Sequence, residues 1–409
     1  MAKQLATQVQ RANSTELTRL TSSEFNRLTS AQHFTNEMRF SYYNHAVLME
    51  ALATGRAVDL ADLPKQPRKS ALIIGSGPTL DEALPLLKDW EGEIVCSTSH
   101  APTLIYHGRE PEHIMALDPN SHPGEFAADR WDGRNCTLHV HPGVNPDLIK
   151  WWKGKFCLFR KLQPQTPYYA NEQAIGYSTL GPKERGFLWD GSKGELLVKG
   201  QIPMLACAPA AQISIAKHIG YAQQVLVGCD FSFAKDKGRF SAWNYDGEKW
   251  IETPSMSWET QLSESDTVVE TEFDGLKSSA MQIFYSHQVV IAWRITEANI
   301  VNASTTGLLR VFPIVPIDEV IRNGNKGVKG FTLPQIRNAA EKYLARQNVY
   351  FVCIGKGIMP HEFKDPLHDI PLMLTQIKAA LTQQGRGDEL DVDANMRRIK
   401  KLFKEMAGG

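Results

Sequence analysis

The chain has 409 residues, and its 45 lysines and arginines balance 45 aspartates and glutamates, so the formal net charge is zero. That balance speaks against the basic surface of a nucleic-acid binder or of a protein held on an anionic membrane. No apolar run approaches membrane-spanning length, and the apolar content is ample for one large or two ordinary domains.

Residues 1 to about 58 read as helical, since residues 30–50 carry apolar side chains at helical spacing. A connector with Pro64 and Pro67 follows, and then a short apolar run, Ala71 to Ile74, that breaks at Gly75 and Gly77. A helix start is expected at once: Thr79 and Glu82 have capping-box spacing, and Leu80, Leu84 and Leu87 recur at helical intervals. Further strands are predicted at 93–97, 113–117, 137–140 and 156–159, with a helix at 101–107. From 163 to 201 the pattern dissolves into glycine, proline and aromatic residues, as in a functional loop or lid. A helix of small residues at 204–219 and a strand from Gln224 come next. Residues 240–266, rich in tryptophan, serine and charge, read as an insertion. A long amphipathic helix at 278–298, a last strand from Ile300 and a helical region from Thr332 complete the chain.

This alternation predicts an α/β fold with a Rossmann-like, mainly parallel sheet and helical N- and C-terminal flanks. The expected division is a helical region at 1–69, a Rossmann-like domain at 70–325 and a helical region at 326–409. Insertions are expected near 163–201 and 238–270. The terminal helices suit packing within one chain or between copies, so a homo-oligomer is compatible with them. The six cysteines, Cys96, Cys136, Cys157, Cys207, Cys229 and Cys353, show no metal spacing. Free buried thiols in a reducing cytoplasm are expected, with no membrane and no nucleic-acid partner.

In an open parallel sheet, ligands bind outside the carboxyl ends of the strands, where the winding reverses. Five groups follow predicted strands: Gly75, Ser76, Gly77, Pro78 and Thr79; then Ser97, Thr98, Ser99 and His100; then Asp118 and Asn120; then Gly228 and Asp230; then Asn302 and Ser304. All are small, polar or acidic, whereas the strands before them are apolar. The first suggests a phosphate cradle, with glycines admitting the ligand to backbone N–H groups at a helix start. On that reading, Gly77→Val should abolish binding with the fold intact. Asp118 and Asp230 are candidates for a ribose or a metal. His139 and His141 alternate on one strand but lack a third ligand.

Four segments carry a family resemblance. Residues 74–80 (IGSGPTL), 98–111 with 115–118 (TSHAPTLIYHGREP, MALD), 220–232 (GYAQQVLVGCDFS) and 301–307 (VNASTTG) occur in order. Together they resemble the motility-accessory-factor family, which includes 6-hydroxymethylpterin diphosphokinase-like proteins and is related to bacterial sialyltransferases. The resemblance runs from about Glu37 to Ile321. It implies a nucleotide-dependent group transferase, foremost a sialyltransferase-like glycosyltransferase with a nucleotide-sugar donor, an unidentified acceptor and no required metal. The alternative it implies is an ATP- and Mg²⁺-dependent diphosphokinase holding the metal on Asp118 and Asp230. A non-catalytic nucleotide-binding module is the third reading. Thr98 stands where the family has an acidic residue, which removes one carboxylate that Mg²⁺ chemistry favours. For the glycosyltransferase, Tyr168, Tyr169 and Tyr177 are candidate donors to the leaving phosphate, and His287 and His100 are candidate bases by residue type.

Overall fold

The computed structural model of the chain describes residues 40, 43–44, 46–118, 121–126, 131, 133–162, 189–190, 195–196, 200–203, 207–233, 237–255, 268–271 and 276–354. Eight strands form its main sheet: β1 (Ala57–Asp59), β2 (Ser70–Ile74), β3 (Glu93–Ser97), β4 (His113–Ala116), β5 (Thr137–Val140), β6 (Lys155–Leu158), β7 (Gln223–Val227) and β8 (Ile300–Asn302). Their order is β1-β6-β5-β4-β3-β2-β7-β8, and every neighbouring pair is parallel. The chain winds outward from β2 to β6, then returns to the other side of β2. The reversal therefore falls between β2 and β7.

Among the described residues, the helices that follow β1 are α1 (Leu80–Ala83), α2 (Ala101–Tyr106), α3 (Pro146–Trp151), α4 (Ala208–Ile219), α5 (Ala280–Thr296), α6 (Ile317–Asn323) and α7 (Leu333–Ile354). Both sheet faces are covered, which is why β2 reads as an unbroken apolar run rather than an alternating one. Leu72 and Ile74 face a layer that includes Leu80, Leu104 and Leu148 from α1, α2 and α3. Ala71 and Ile73 face the opposite layer, with Ile213, Val289, Trp293 and Ile336 from α4, α5 and α7.

Two local expectations are corrected. The helix expected to reach residue 58 ends at residue 53, and three residues at 57–59 then join the sheet edge as β1 beside β6. A strand that short leaves no periodicity to detect. After the glycine turn, α1 lasts four residues before the chain tightens into a 3-10 segment at Leu84–Asp89 containing Pro85. Thr79 makes no capping bond there. So short a helix lacks the sustained dipole that the phosphate reading assumed. The insertion is in part a hairpin, Ala242–Tyr245 with Trp250–Thr253. Cys96, Cys136, Cys157, Cys207 and Cys229 are free and buried, as expected; the side chain of Cys353 lies outside the described residues. Among the described residues no helix is long and apolar enough to cross a membrane.

The amino-terminal edge of the sheet carries a buried polar network around Glu93. Its carboxylate accepts from Lys69 Nζ at 2.6 Å, from His113 Nε2 at 3.2 Å and from the Tyr221 hydroxyl, and His113 Nδ1 meets His139 Nε2 at 2.9 Å. A cavity of about 310 Å³ lined by Glu93, Glu112, His113 and Lys155 opens there. Burial alone would raise the Glu93 pKa, but the hydrogen bonds from His113, Lys69 and Tyr221 outweigh it and hold it at about 2, against 4.5 when free. An acid depressed in the folded state stabilises fully above its unfolded pKa, and that contribution fades as pH falls toward the folded value. Glu93→Gln is therefore expected to lower unfolding free energy by roughly 2–3 kcal/mol at pH 7. Urea denaturation should show the gap to wild type constant down to about pH 5 and narrowing below it; a gap absent at pH 7 would contradict the network's role.

Candidate functional site

The turns that follow the strands are stitched together along the carboxyl edge of the sheet. At the reversal, Gly75 N–H donates to Val227 O at 2.8 Å and Gly77 N–H to Gly228 O at 2.6 Å. Thr79 N–H donates to Asp230 Oδ2 at 2.9 Å, and the Thr79 hydroxyl to Asp230 Oδ1 at 2.6 Å. From β8, Ser304 Oγ accepts Cys229 N–H at 2.9 Å, Asn302 Oδ1 accepts Ser304 N–H at 3.0 Å, and Leu308 N–H donates to Asp230 O at 2.8 Å. On the other side Thr98 Oγ1 lies 3.3 Å from Ser121 Oγ, which ties the β3 turn to the β4 turn. The turns expected to converge do so.

What they enclose at the reversal differs from the phosphate cradle read from the sequence. The Asp230 carboxylate already occupies the place where an anion would meet the loop amide. Asp230 is fully buried, and Gly75, Pro78, Thr79, Gly228, Asn302 and Ser304 are buried with it. The next residue, Phe231, is held at φ 51°, an uncommon left-handed conformation for a bulky side chain. Burial raises the Asp230 pKa to about 6, and hydrogen bonds from Thr79 and Ser304 only partly offset this. A Cβ on Gly77 would lie 2.1 Å from Asp230 Oδ2, so Gly77→Val strikes the fold itself. These residues are packed and hydrogen-bonded to one another beneath the rim.

The accessible part of the edge begins at Ser76, which is exposed between Gly75 and Gly77. Its Oγ lies 2.9 Å from Nε2 of the buried His100. Ser97 N–H donates to His100 Nδ1 at 3.3 Å, and Ser97 Oγ is 2.8 Å from the same nitrogen. A backbone N–H needs a lone pair, so Nδ1 is the acceptor and Nε2 carries the hydrogen toward Ser76. The Ser76 hydroxyl proton is then left to donate outward. Burial first, and then the nearby charge of Arg239, lower the His100 pKa to about 3, so the ring is neutral across the physiological range. His100 thus orients Ser76 and Ser97, in place of the base role assigned by residue type. Ser99, 3.2 Å from Ser97 Oγ, and Asp118, just beyond β4, are exposed on the same rim.

His287 sits seven residues into α5, on the helix layer covering the opposite face of the sheet from α1 and α2. At 1.5 Å per residue it is about 10 Å from the start of that helix. Burial lowers its pKa to about 4. The structure does not gather it with Ser76 and His100. Asn120, Tyr168, Tyr169 and Tyr177 lie outside the described residues.

Sequence reasoning missed the strap at residues 237–241. Phe240 N–H donates to Ser76 O at 3.2 Å, and the Phe240 ring lies 5.4 Å from that of His100. Ser241 N–H donates to Asp81 Oδ1 at 2.7 Å, and Lys237 Nζ pairs with Asp81 Oδ2 at 3.2 Å. Beyond the strap, Trp243 stacks on Tyr106 of α2 with ring centroids 3.7 Å apart. Between the anchors, the Arg239 guanidinium lies over the Phe240 ring, 5.1 Å from its centroid. No spacing in the sequence links residue 239 to residue 76.

The donor set does not fit the metal of the diphosphokinase reading. Both oxygens of Asp230 serve Thr79 inside the fold, whereas Asp118 is exposed on the rim. Among the described residues no group of three histidine, cysteine or acidic side chains is placed to hold a metal ion.

With this geometry in view, the family resemblance is met over the first six strands. Residues 47–185 match the family model described as 6-hydroxymethylpterin diphosphokinase MptE-like. The MptE-like stretch contains Ser76, Ser97, Ser99, His100 and Asp118, while Asp230 and Arg239 lie beyond it. Among solved structures, the chain is similar to the MAf glycosyltransferase from Magnetospirillum magneticum AMB-1, at 14% identity and a TM-score of 0.42. That match covers 94% of this chain and 56% of the other, so the chain spans little more than half of that protein's length. Comparison with curated proteins gave no match.

Proposed function

We propose that this chain is a nucleotide-dependent group transferase of the glycosyltransferase kind, taking a sugar from a nucleotide-activated donor. The observation that carries the reading is the Ser76–His100 pair, an exposed hydroxyl held as an outward donor by a neutral, buried imidazole. Donors fixed in advance stabilise the charge that builds on a departing nucleotide phosphate without reorganising. In the proposed reaction the bond between the anomeric carbon and the phosphate oxygen breaks, and the phosphate leaves with the electron pair. The acceptor hydroxyl oxygen bonds to that carbon, and its proton passes to the departing phosphate. Ser76 faces the phosphate, Ser97 and Ser99 the sugar-proximal part, and Asp118 the ribose. A cytidine monophosphate-linked sugar is the finer proposal, drawn from the sialyltransferase resemblance.

The MptE-like match favours a second reading, transfer of diphosphate from ATP to a pterin-like alcohol. The commitment of Asp230 to Thr79 weighs against it, because Asp118 is then left without its partner carboxylate. Hydrolysis of CMP-sugars and of ATP, each with Mg²⁺ and with EDTA, separates the two. Turnover of a CMP-sugar in EDTA is expected. Turnover confined to ATP with Mg²⁺ would replace the first reading by the second, and absence of both turnover and binding would leave a non-catalytic module.

A further inference from the structure

We propose that Arg239 is the fixed counter-charge of this site, and that its guanidinium takes a phosphate group of the donor nucleotide beside the Ser76 hydroxyl. This rests on the transferase reading for the identity of the ligand, but not for the anion site itself. The side chain is half-buried, and its Nε is fully enclosed without a hydrogen-bond partner. Among the described residues Arg239 makes no ion pair, and the carboxylates near the strap are already engaged: Asp81 with Lys237 and Ser241, Asp230 with Thr79. Arginine does not shed its proton to relieve such burial, so a half-buried guanidinium with an unpartnered Nε and no anion carries a desolvation cost.

The backbone around it is anchored at several points. Phe240 N–H is bonded to Ser76 O, Ser255 Oγ donates to Arg239 O, and the Phe240 ring supports one guanidinium face. Arg239 and Ser76 are thereby fixed to one another, through the same strap that places Phe240 against His100. The lowered pKa of His100 agrees, since the positive charge of Arg239 contributes to it after burial. A planar fork of N–H donors on the strap that is bonded to the Ser76 backbone suits a tetrahedral phosphate. In this arrangement the charge that Mg²⁺ supplies elsewhere comes from the protein.

The test uses the full chain and two probes, CMP and inorganic pyrophosphate, titrated by calorimetry in EDTA. Wild type is expected to bind both. Arg239→Gln should weaken each at least about 50-fold, and Arg239→Lys, which keeps the charge without the fork, about 10-fold. Without ligand, Arg239→Gln should melt at or above the wild-type temperature, since it relieves an uncompensated charge; a residue serving only structure would show the reverse. Unchanged affinity in Arg239→Gln, binding by wild type only with Mg²⁺, or no binding of either probe would overturn the proposal. The two readings fail separately. Arg239-dependent binding without CMP-sugar turnover removes the glycosyltransferase reading alone, whereas turnover with unaltered KM in Arg239→Gln removes the counter-charge alone.

Discussion

Asp230→Ala is expected to lower unfolding free energy by about 4 kcal/mol, while Asp230→Asn should cost about 1 kcal/mol or less. Alanine strands the Thr79 N–H and hydroxyl inside the fold and leaves a void at a fully buried position. Asparagine is close to isosteric. Its Oδ1 can accept the Thr79 N–H while its Nδ2 donates to Thr79 Oγ1, so both groups keep a partner. It also removes a charge that the interior disfavours, as the Asp230 pKa of about 6 records. The sign of the pH effect follows. The native carboxyl holds its proton more tightly than the free value of 3.8, so this group's contribution to stability grows as pH falls from about 6 toward 4. Denaturant titrations of wild type and Asp230→Asn across pH 4–7 should show that local slope in the former and its loss in the latter. Were Asp230 instead a metal carboxylate, Asp230→Asn would be stable yet inactive; retained turnover is the expected result.

Gly77→Ala is expected to be costly in a way that its exposure does not suggest, at about 3 kcal/mol or more. The added methyl would sit 2.1 Å from Asp230 Oδ2 and 2.7 Å from its Cγ. The carboxylate cannot swing aside without abandoning Thr79, and Gly307 closes on the Asp230 backbone from the other side, its own Cβ position only 2.8 Å from Asp230 O. The loss should therefore be shared between the two positions. In an Asp230→Ser background Gly77→Ala should cost markedly less, and the double-mutant cycle should give a coupling of about 1–3 kcal/mol. A normal melting temperature for Gly77→Ala would show that the loop and Asp230 are not locked as described. Since the fold and the rim fail together in this variant, it cannot serve as a clean probe of ligand binding, and Arg239 is the better one.

The primary structure by itself determined seven of the eight strands of the main sheet and their common direction. Residues 70–74, 93–97 and 223–227 had to be buried on both faces, and such burial leaves continuous apolar runs that can be read without coordinates. Once those runs were parallel, their carboxyl ends fell on one edge, so the convergence of the following turns was legible too. Which atoms fill that edge was decided by tertiary structure alone. A glycine turn is equally suited to a phosphate and to a protein carboxylate, because both are anions small enough to approach backbone N–H groups. Asp230 reaches Thr79 from 151 positions away, and Phe240 brings Arg239 to Ser76 from the far end of an aperiodic stretch. His100 was visible as a residue type, but its burial and the direction of its ring hydrogen depend on Ser97 and Ser76 closing around it. Local pattern fixes elements because it reflects burial, whereas long-range pairing of polar groups leaves no periodic trace for a single chain to display.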